Sequence, residues 1–186
     1  MFLTRKLLLY AALLTLTQCS KCKNDPTPAD PAAALPPATQ TGANTFGCLV
    51  NGQPYTPQGR VGLGSNFAVL YDPTFNGGDL DIHTYRVDGK NWNTLISLNF
   101  APLNAVGTYS LALPGGIGGA SYVNKNDPSL CGEIITDASI SYRRGTVTIT
   151  RLDLRAGVIA GTFDLKFVRA GCDTIRLTQG RFDAKI

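Results

Sequence analysis

Apolar and polar residues alternate along most of the chain beyond its first quarter, in short runs that end at glycine-containing turns. In NWNTLISLNF the even-numbered residues from Trp92 to Phe100 share one side of a strand, and the asparagines and the serine share the other. Asn-Gly and Asp-Gly pairs favour the positive backbone angles of tight hairpins. This pattern predicts an all-β fold of roughly ten antiparallel strands, a meander that forms a β-sandwich or a flattened β-barrel.

Two glycine-containing stretches interrupt the alternation. Leu177 and Phe182 should both face inward although their positions differ by an odd number, and Gly180 is where a β-bulge would absorb the extra residue. The run from Gly115 to Gly119 lacks the lysine and the helix of a phosphate-binding loop. It predicts the tip of a hairpin.

The first eighteen residues follow a different pattern. Arg5 and Lys6 precede an apolar run from Leu7 to Leu16 that only Thr15 interrupts. The run is shorter than the roughly 20 residues that a membrane-spanning helix needs, and its charged start is typical of an export signal. We therefore assign residues 1–18 to a signal peptide for export and leave them out of the fold.

The end of that signal, Leu16-Thr17-Gln18-Cys19, resembles the lipobox of bacterial lipoproteins. In that family the cysteine takes a diacylglycerol and becomes the first residue after cleavage; Gln18 departs from the small residue usual there. The resemblance implies lipidation of Cys19 and membrane attachment through an N-terminal lipid with several acyl chains, which holds stably. Cys22 is an alternative acceptor with a poorer preceding sequence, and an ordinary signal peptide is the other interpretation. Under each of them the protein leaves the cytoplasm.

Residues 19–44 contain five of the eleven prolines and show no apolar periodicity. Such a segment buries too little apolar surface to offset its chain entropy, and Pro-rich segments run extended. We predict a disordered linker that lifts one folded domain, residues 45–186, off the bilayer. That domain is long enough to bury a core without disulfides.

The cysteines, the histidine and the net charge limit the kinds of site that the domain could form. Of Cys48, Cys131 and Cys172 in the domain, Cys131 follows a loop and Cys172 lies in a turn, so these two are the favoured disulfide in an oxidising compartment. His83 is the only histidine and the domain has no CxxC pair, so no structural zinc site and no cofactor is predicted. The chain's net charge of +4 is smaller within the domain and spread along it, so nucleic acid is not a predicted partner.

One strand carries the candidate ligand face. Asp79, Asp81, His83 and Tyr85 alternate in DLDIHTYRV and should project from one side, with Leu80 and its even-numbered neighbours turned inward. Two carboxylates and an imidazole could hold a cation, but side chains two apart on a strand stand about 7 Å from each other. A solvated strand face is the simpler interpretation, and no metal site is predicted. For ligand binding, Tyr85 is a better candidate than a cation site, because its ring could stack on a sugar ring.

Catalytic motifs are missing from the sequence. The single histidine lies in no nucleophile motif and GxSxG is absent, so we predict that the protein is not an enzyme. Carboxylate pairs of the glycosidase type are not recognisable in a sequence, since their partners are distant in the chain.

Four segments of the domain resemble a family of uncharacterised Bacteroidota lipoproteins: NTFGCLVNGQPYTP, GTYSLALPG, RGTVTITRLDLRAGVIAGTFDLKF and GCDTIRLTQGRFDAKI, in that order. The resemblance implies an anchored β-domain and carries no activity. We expect an outer-membrane lipoprotein of the cell envelope, on the periplasmic or the surface-exposed face. Its β-domain is predicted to bind a ligand or partner, an envelope protein or a glycan, without catalysis. The alternatives are a glycan-binding module at the cell surface and a purely structural envelope component.

Overall fold

The structure, a computed structural model, describes residues 30–60, 64–88, 91–113, 115–126, 134–135 and 140–186. The predicted signal peptide, both candidate lipidation sites (Cys19 and Cys22) and Cys131 lie outside these residues. Lipidation and the Cys131–Cys172 disulfide therefore stay predictions. None of the helical residues described forms a helix of the length and apolarity needed to cross a membrane.

The described residues form eleven strands after one turn of 3-10 helix at Pro31–Ala34. The strands are β1 Thr45–Val50, β2 Gln53–Tyr55, β3 Phe67–Asp72, β4 Asp79–Asp88, β5 Asn91–Phe100, β6 Gly107–Ser110, β7 Gly119–Asn124, β8 Ile134–Ile135, β9 Tyr142–Asp153, β10 Val158–Val168 and β11 Ile175–Lys185. They belong to two antiparallel sheets, and the all-β prediction is confirmed.

The strand order differs from a simple meander. The first sheet runs β2-β1-β11-β10-β9-β6 and the second β3-β4-β5-β7-β8. Consecutive strands pair in β3-β4-β5 and in β9-β10-β11, but β1 pairs with β11 and β6 joins the first sheet. Pairing the two ends of the fold places Phe46 opposite Phe182, so both rings enter the core from neighbouring strands.

The two sheets face each other across an apolar core, as in a β-sandwich. The core takes the side chains that alternation turns inward, among them Ile82 on β4, Leu98 on β5 and Phe167 on β10. Cys48 lies among them as a free thiol. Burial raises the pKa of the Cys48 thiol to about 12, against a smaller lowering by the positive charge of Arg86.

The predicted β-bulge in β11 is confirmed, with a different role for its glycine. The register shifts between Leu177 and Gly180 against β10, and between Thr178 and Arg181 against β1. The residue with left-handed backbone is Gln179, at φ +52°, rather than Gly180. Gly180 instead leaves room for the Phe163 ring, which would lie 2.5 Å from a Cβ atom at that position.

The glycine run before β7 is not the tip of a hairpin, because β6 belongs to the first sheet and β7 to the second. The chain crosses from one sheet to the other through it. Arg143 is almost fully buried and donates hydrogen bonds to the carbonyl oxygens of Leu111, at 2.8 Å, and of Gly118. The crossing is thus attached to β9.

The second half of the predicted linker is packed on the folded domain. Leu35 is buried, and Pro36 lies so close to Gly47 that a Cβ there would meet it at 2.6 Å. The Arg181 side chain donates to the Pro36 carbonyl oxygen. We call residues 35–44, which cover the outer side of the first sheet next to β1 and β11, the strap.

Asp183 on β11 fastens the strap. Its carboxylate accepts hydrogen bonds from the Thr39 hydroxyl at 2.6 Å, the Thr41 amide at 2.9 Å and the Gly42 amide at 2.7 Å. Burial of Asp183 opposes ionisation, but these bonds outweigh it and hold the pKa of its carboxyl below the ordinary value. The prediction of a disordered linker is wrong for residues 30–44, because their partner stands 141 to 144 residues later in the chain.

Candidate functional site

The four residues of the candidate ligand face lie on the outer side of the second sheet. Leu80 and Ile82 are fully buried between them, as alternation predicts. Asp79, Asp81 and Tyr85 are half-buried and His83 is exposed. Together with their cross-strand neighbours on β5, Ser97 and Asn99, these residues form what we call the polar face.

Asn99 joins the two carboxylates of the polar face. Its side-chain nitrogen donates to Oδ1 of Asp79 at 2.8 Å and to Oδ1 of Asp81 at 2.9 Å. A carboxylate only accepts hydrogen bonds, so the nitrogen of the amide, and not its oxygen, must face the pair. The bridge offsets the repulsion of two like charges on one strand.

The same bridge bears on cation binding. A cation held by Asp79 and Asp81 would occupy the point between their oxygens, where the Asn99 nitrogen, a donor, already stands. Among the residues described, no three side chains of the metal-binding types lie together. The arrangement suits ligands that donate and accept hydrogen bonds.

A second polar pair lies one step along the sheet. The Ser97 hydroxyl and Nδ1 of His83 are 3.0 Å apart, and either can donate, according to the histidine tautomer. Because His83 and Ser97 are direct cross-strand partners, as are Asp81 and Asn99, the two polar pairs lie side by side.

An apolar rim borders the polar face. Leu70 on the edge strand β3 is the direct neighbour of Asp81 and is 67% exposed. Tyr85 follows His83 on β4 and lies opposite Leu95. An exposed leucine and a half-buried tyrosine therefore border the polar pairs.

Asp72 extends the negative charge of this surface without joining the bridge. It lies opposite Asp79, but its carboxylate accepts from the hydroxyl and amide of Thr74 and from the amide of Phe75. These hydrogen bonds, the Thr74 hydroxyl first, lower the pKa of Asp72. Asp72 thus shapes its own turn.

The sequence did not assign Ser97 and Asn99 to the ligand face. Both stand on the outward side of NWNTLISLNF, so their exposure was predictable, but not which residues of β4 they would meet. Of the predicted disulfide, the structure describes Cys172, in the turn between β10 and β11.

No protein-family model, curated protein or solved structure matches the chain. The resemblance to Bacteroidota lipoproteins stays a prediction.

Proposed function

We propose that this chain is an envelope-anchored lipoprotein whose β-sandwich binds a hydroxyl-rich ligand, a glycan, on the polar face without chemically changing it. The observation that carries the proposal is the Asn99 amide holding Asp79 and Asp81 side by side. It fixes two strong acceptors on a rigid sheet before any ligand arrives.

Fixed acceptors suit sugar hydroxyls. Each carboxylate can accept about four hydrogen bonds, so Asp79 and Asp81 keep acceptor positions beyond the one that Asn99 fills. His83 and Ser97 add groups that both donate and accept. Because strands β4 and β5 already order these side chains, binding would cost little conformational entropy.

The apolar rim suits the C–H groups of a sugar ring. A pyranose ring presents C–H groups on its faces and hydroxyls on its edge, and aromatic or aliphatic side chains pack against the former. Leu70 borders Asp81 from β3, and Tyr85 follows His83 along β4. A ligand lying across the face would meet both kinds of group.

Binding without hydrolysis fits the arrangement of the carboxylates. Glycosidases place two carboxyl groups on either side of the scissile bond. Asp79 and Asp81 instead lie on one strand, share one amide and face the same way. Together they can accept hydrogen bonds from a sugar hydroxyl, but they do not lie on either side of a glycosidic bond.

The expected location supports the same function. The charged and apolar leader and the Leu16-Thr17-Gln18-Cys19 sequence favour export and attachment at the membrane. An anchored domain outside the cytoplasm is where envelope and extracellular glycans are accessible.

A thermal-shift screen of the full chain in detergent against oligosaccharides tests the proposal. A ligand at a hundred times its Kd should stabilise the protein by about 2.7 kcal/mol, or several degrees in Tm. Asp81→Ala and Tyr85→Ala should abolish the shift. Asp173→Ala, which removes an exposed carboxylate from the turn before β11, should leave it intact. A screen without a shift, or a shift that Asp81→Ala preserves, would contradict the proposal.

A further inference from the structure

The inner side of the second sheet ends in a row of polar residues. Arg86, Thr94 and Asn124 are direct cross-strand neighbours on β4, β5 and β7, and all three occupy positions that alternation turns inward. Four residues away on each of these strands, the equivalent row is apolar and consists of Ile82, Leu98 and Ala120. Polar side chains at three adjacent core positions are unfavourable unless something satisfies them.

This row lines a cleft at one end of the sandwich. Gln53 and Tyr55 of β2 and Ile175 of β11 close it from the first sheet, and its volume is about 270 Å³. That is just below the usual range for sites that take drug-sized ligands, so the cleft suits a small molecule.

Arg86 is the charged residue of the cleft. Its Nε donates to the Thr56 carbonyl oxygen and one terminal nitrogen to that of Pro54, both at 3.3 Å. A guanidinium has five N–H donors, so three are left for other partners. Within the part of the chain that the structure describes, Arg86 forms no salt bridge.

Contact with the Tyr55 ring fixes the position of the Arg86 guanidinium. Its central carbon lies 5.0 Å from the centre of the Tyr55 ring, a cation–π contact. The Tyr55 hydroxyl lies 3.1 Å from that of Thr84, which donates to the Ile96 carbonyl oxygen. Arg86 is therefore held in place in a half-buried cleft, and none of the acidic side chains that the structure describes pairs with it.

We propose that the cleft binds a small organic molecule through its carboxylate, paired with Arg86. A planar guanidinium presents two parallel donors to a carboxylate, and one cation matches its single negative charge better than the two charges of a phosphate monoester. Thr94, the cross-strand neighbour of Arg86, adds a hydroxyl to the cleft. Asn124 follows on β7, where its side-chain amide donates to the Tyr122 hydroxyl at 3.5 Å and accepts from the Asn126 amide at 3.0 Å. The cleft lies between the sheets, whereas the polar face is on the outside of the second sheet, so the two sites are separate.

Chemical-shift mapping of the full, 15N-labelled chain in detergent micelles tests the site directly. The probes are hexanoate and benzoate, with the neutral hexanamide and benzamide as matched controls and inorganic phosphate as the rival anion. Binding of a carboxylate should move the amide signals around Tyr55, Arg86, Thr94 and Asn124. The amides and phosphate should bind about tenfold more weakly or not at all. Shifts elsewhere, no saturable shift with either carboxylate, or equal binding of the amides or of phosphate would overturn the proposal.

A pair of charge variants tests the role of Arg86. Arg86→Gln should weaken carboxylate binding about tenfold or more, measured by titration calorimetry on the full chain. Arg144→Gln removes an exposed positive charge from β9 and should leave the affinity unchanged. Equal loss in both variants would show non-specific attraction and overturn the proposal, as would full binding by Arg86→Gln. If Arg86→Gln does not fold, the wild-type shift map decides alone.

Discussion

At the scale of single residues, one amide decides what the outer carboxylates can do. Asn99 converts Asp79 and Asp81 from a repelling pair into a fixed pair of acceptors. On the other side of the sheet, Arg86 forms no salt bridge with any side chain that the structure describes. The difference explains why we assign neutral, hydroxyl-bearing ligands to one side and an anionic ligand to the other.

Two glycines with similar backbone angles should differ sharply when replaced. Gly118 has φ +72°, and a Cβ there would lie 1.7 Å from the Asn99 carbonyl oxygen; Gly52 has φ +84° and nothing within 4 Å. We expect Gly118→Ala to lower the free energy of unfolding by about 4 kcal/mol or more, and Gly52→Ala by about 1 kcal/mol from backbone strain alone. Urea denaturation of the two variants measures both values. Similar losses would mean that the crossing before β7 can move away.

At the scale of elements, the partner of Asp81 depends on one bulge. Both β4 and β5 turn their even-numbered residues inward. At the hairpin end Asp88 pairs with Asn91, and the same register continued along the strands would place the outward Asp81 opposite the inward Leu98. A register shift after Arg86 resolves the conflict and brings Asn99 to Asp81 instead. The exposed side of β4 was therefore predictable from alternation, and the Asn99 bridge was not, because the shift was not deduced.

The strap shows a different limit of sequence reasoning. Proline content and the absence of periodicity are the normal signs of a disordered segment. Thr39, Thr41 and Gly42 are nevertheless ordered by one carboxylate, Asp183, near the other end of the chain. The composition of a segment indicates how much apolar surface it can bury. It does not reveal a hydrogen-bond acceptor that lies far away in the sequence.

Strap docking should depend on pH through Asp183. The folded-state pKa of this carboxyl lies below its unfolded value, so its contribution to stability is complete above about pH 4 and is lost as pH falls through the lowered pKa. Asp183→Asn should cost about 2–3 kcal/mol at neutral pH and reduce the acid-side loss of stability. Amide exchange at Thr41 and Gly42 should accelerate in the variant.

Asp173→Asn, in an exposed turn, is the matched control for the loss of one carboxylate. It should leave both the pH profile and the exchange rates of the strap as they are in the wild type. If Asp183→Asn behaves like this control, the carboxylate does not hold the strap.

At the scale of the whole molecule, the strap brings the domain closer to its expected anchor. A linker from Cys19 to Thr45 could reach about 90 Å when fully extended, whereas the chain from Cys19 to Asp30 reaches at most about 40 Å. If Cys19 carries the lipid, the sandwich stays near the bilayer. Its ligands are then expected among molecules close to that membrane.

The expected lipid anchor can be tested by replacing each candidate cysteine. Cys19→Ala should move the protein from the membrane fraction to the soluble fraction, since acyl chains would no longer hold it. Cys22→Ala, at the alternative acceptor, should leave it in the membrane fraction. Immunoblotting of fractionated cells measures the distribution, and the reverse pattern would assign the lipid to Cys22.

Glycan binding on the polar face can be measured by carboxyl footprinting of the full chain, with and without the oligosaccharide that gives the largest thermal shift. Carbodiimide coupling followed by peptide mass spectrometry reports how accessible each carboxylate is. We expect the ligand to lower labelling of Asp79 and Asp81 and to leave that of Asp173 unchanged. Unchanged labelling of Asp79 and Asp81 in the presence of bound ligand would contradict this expectation, and the glycan would then bind elsewhere on the protein.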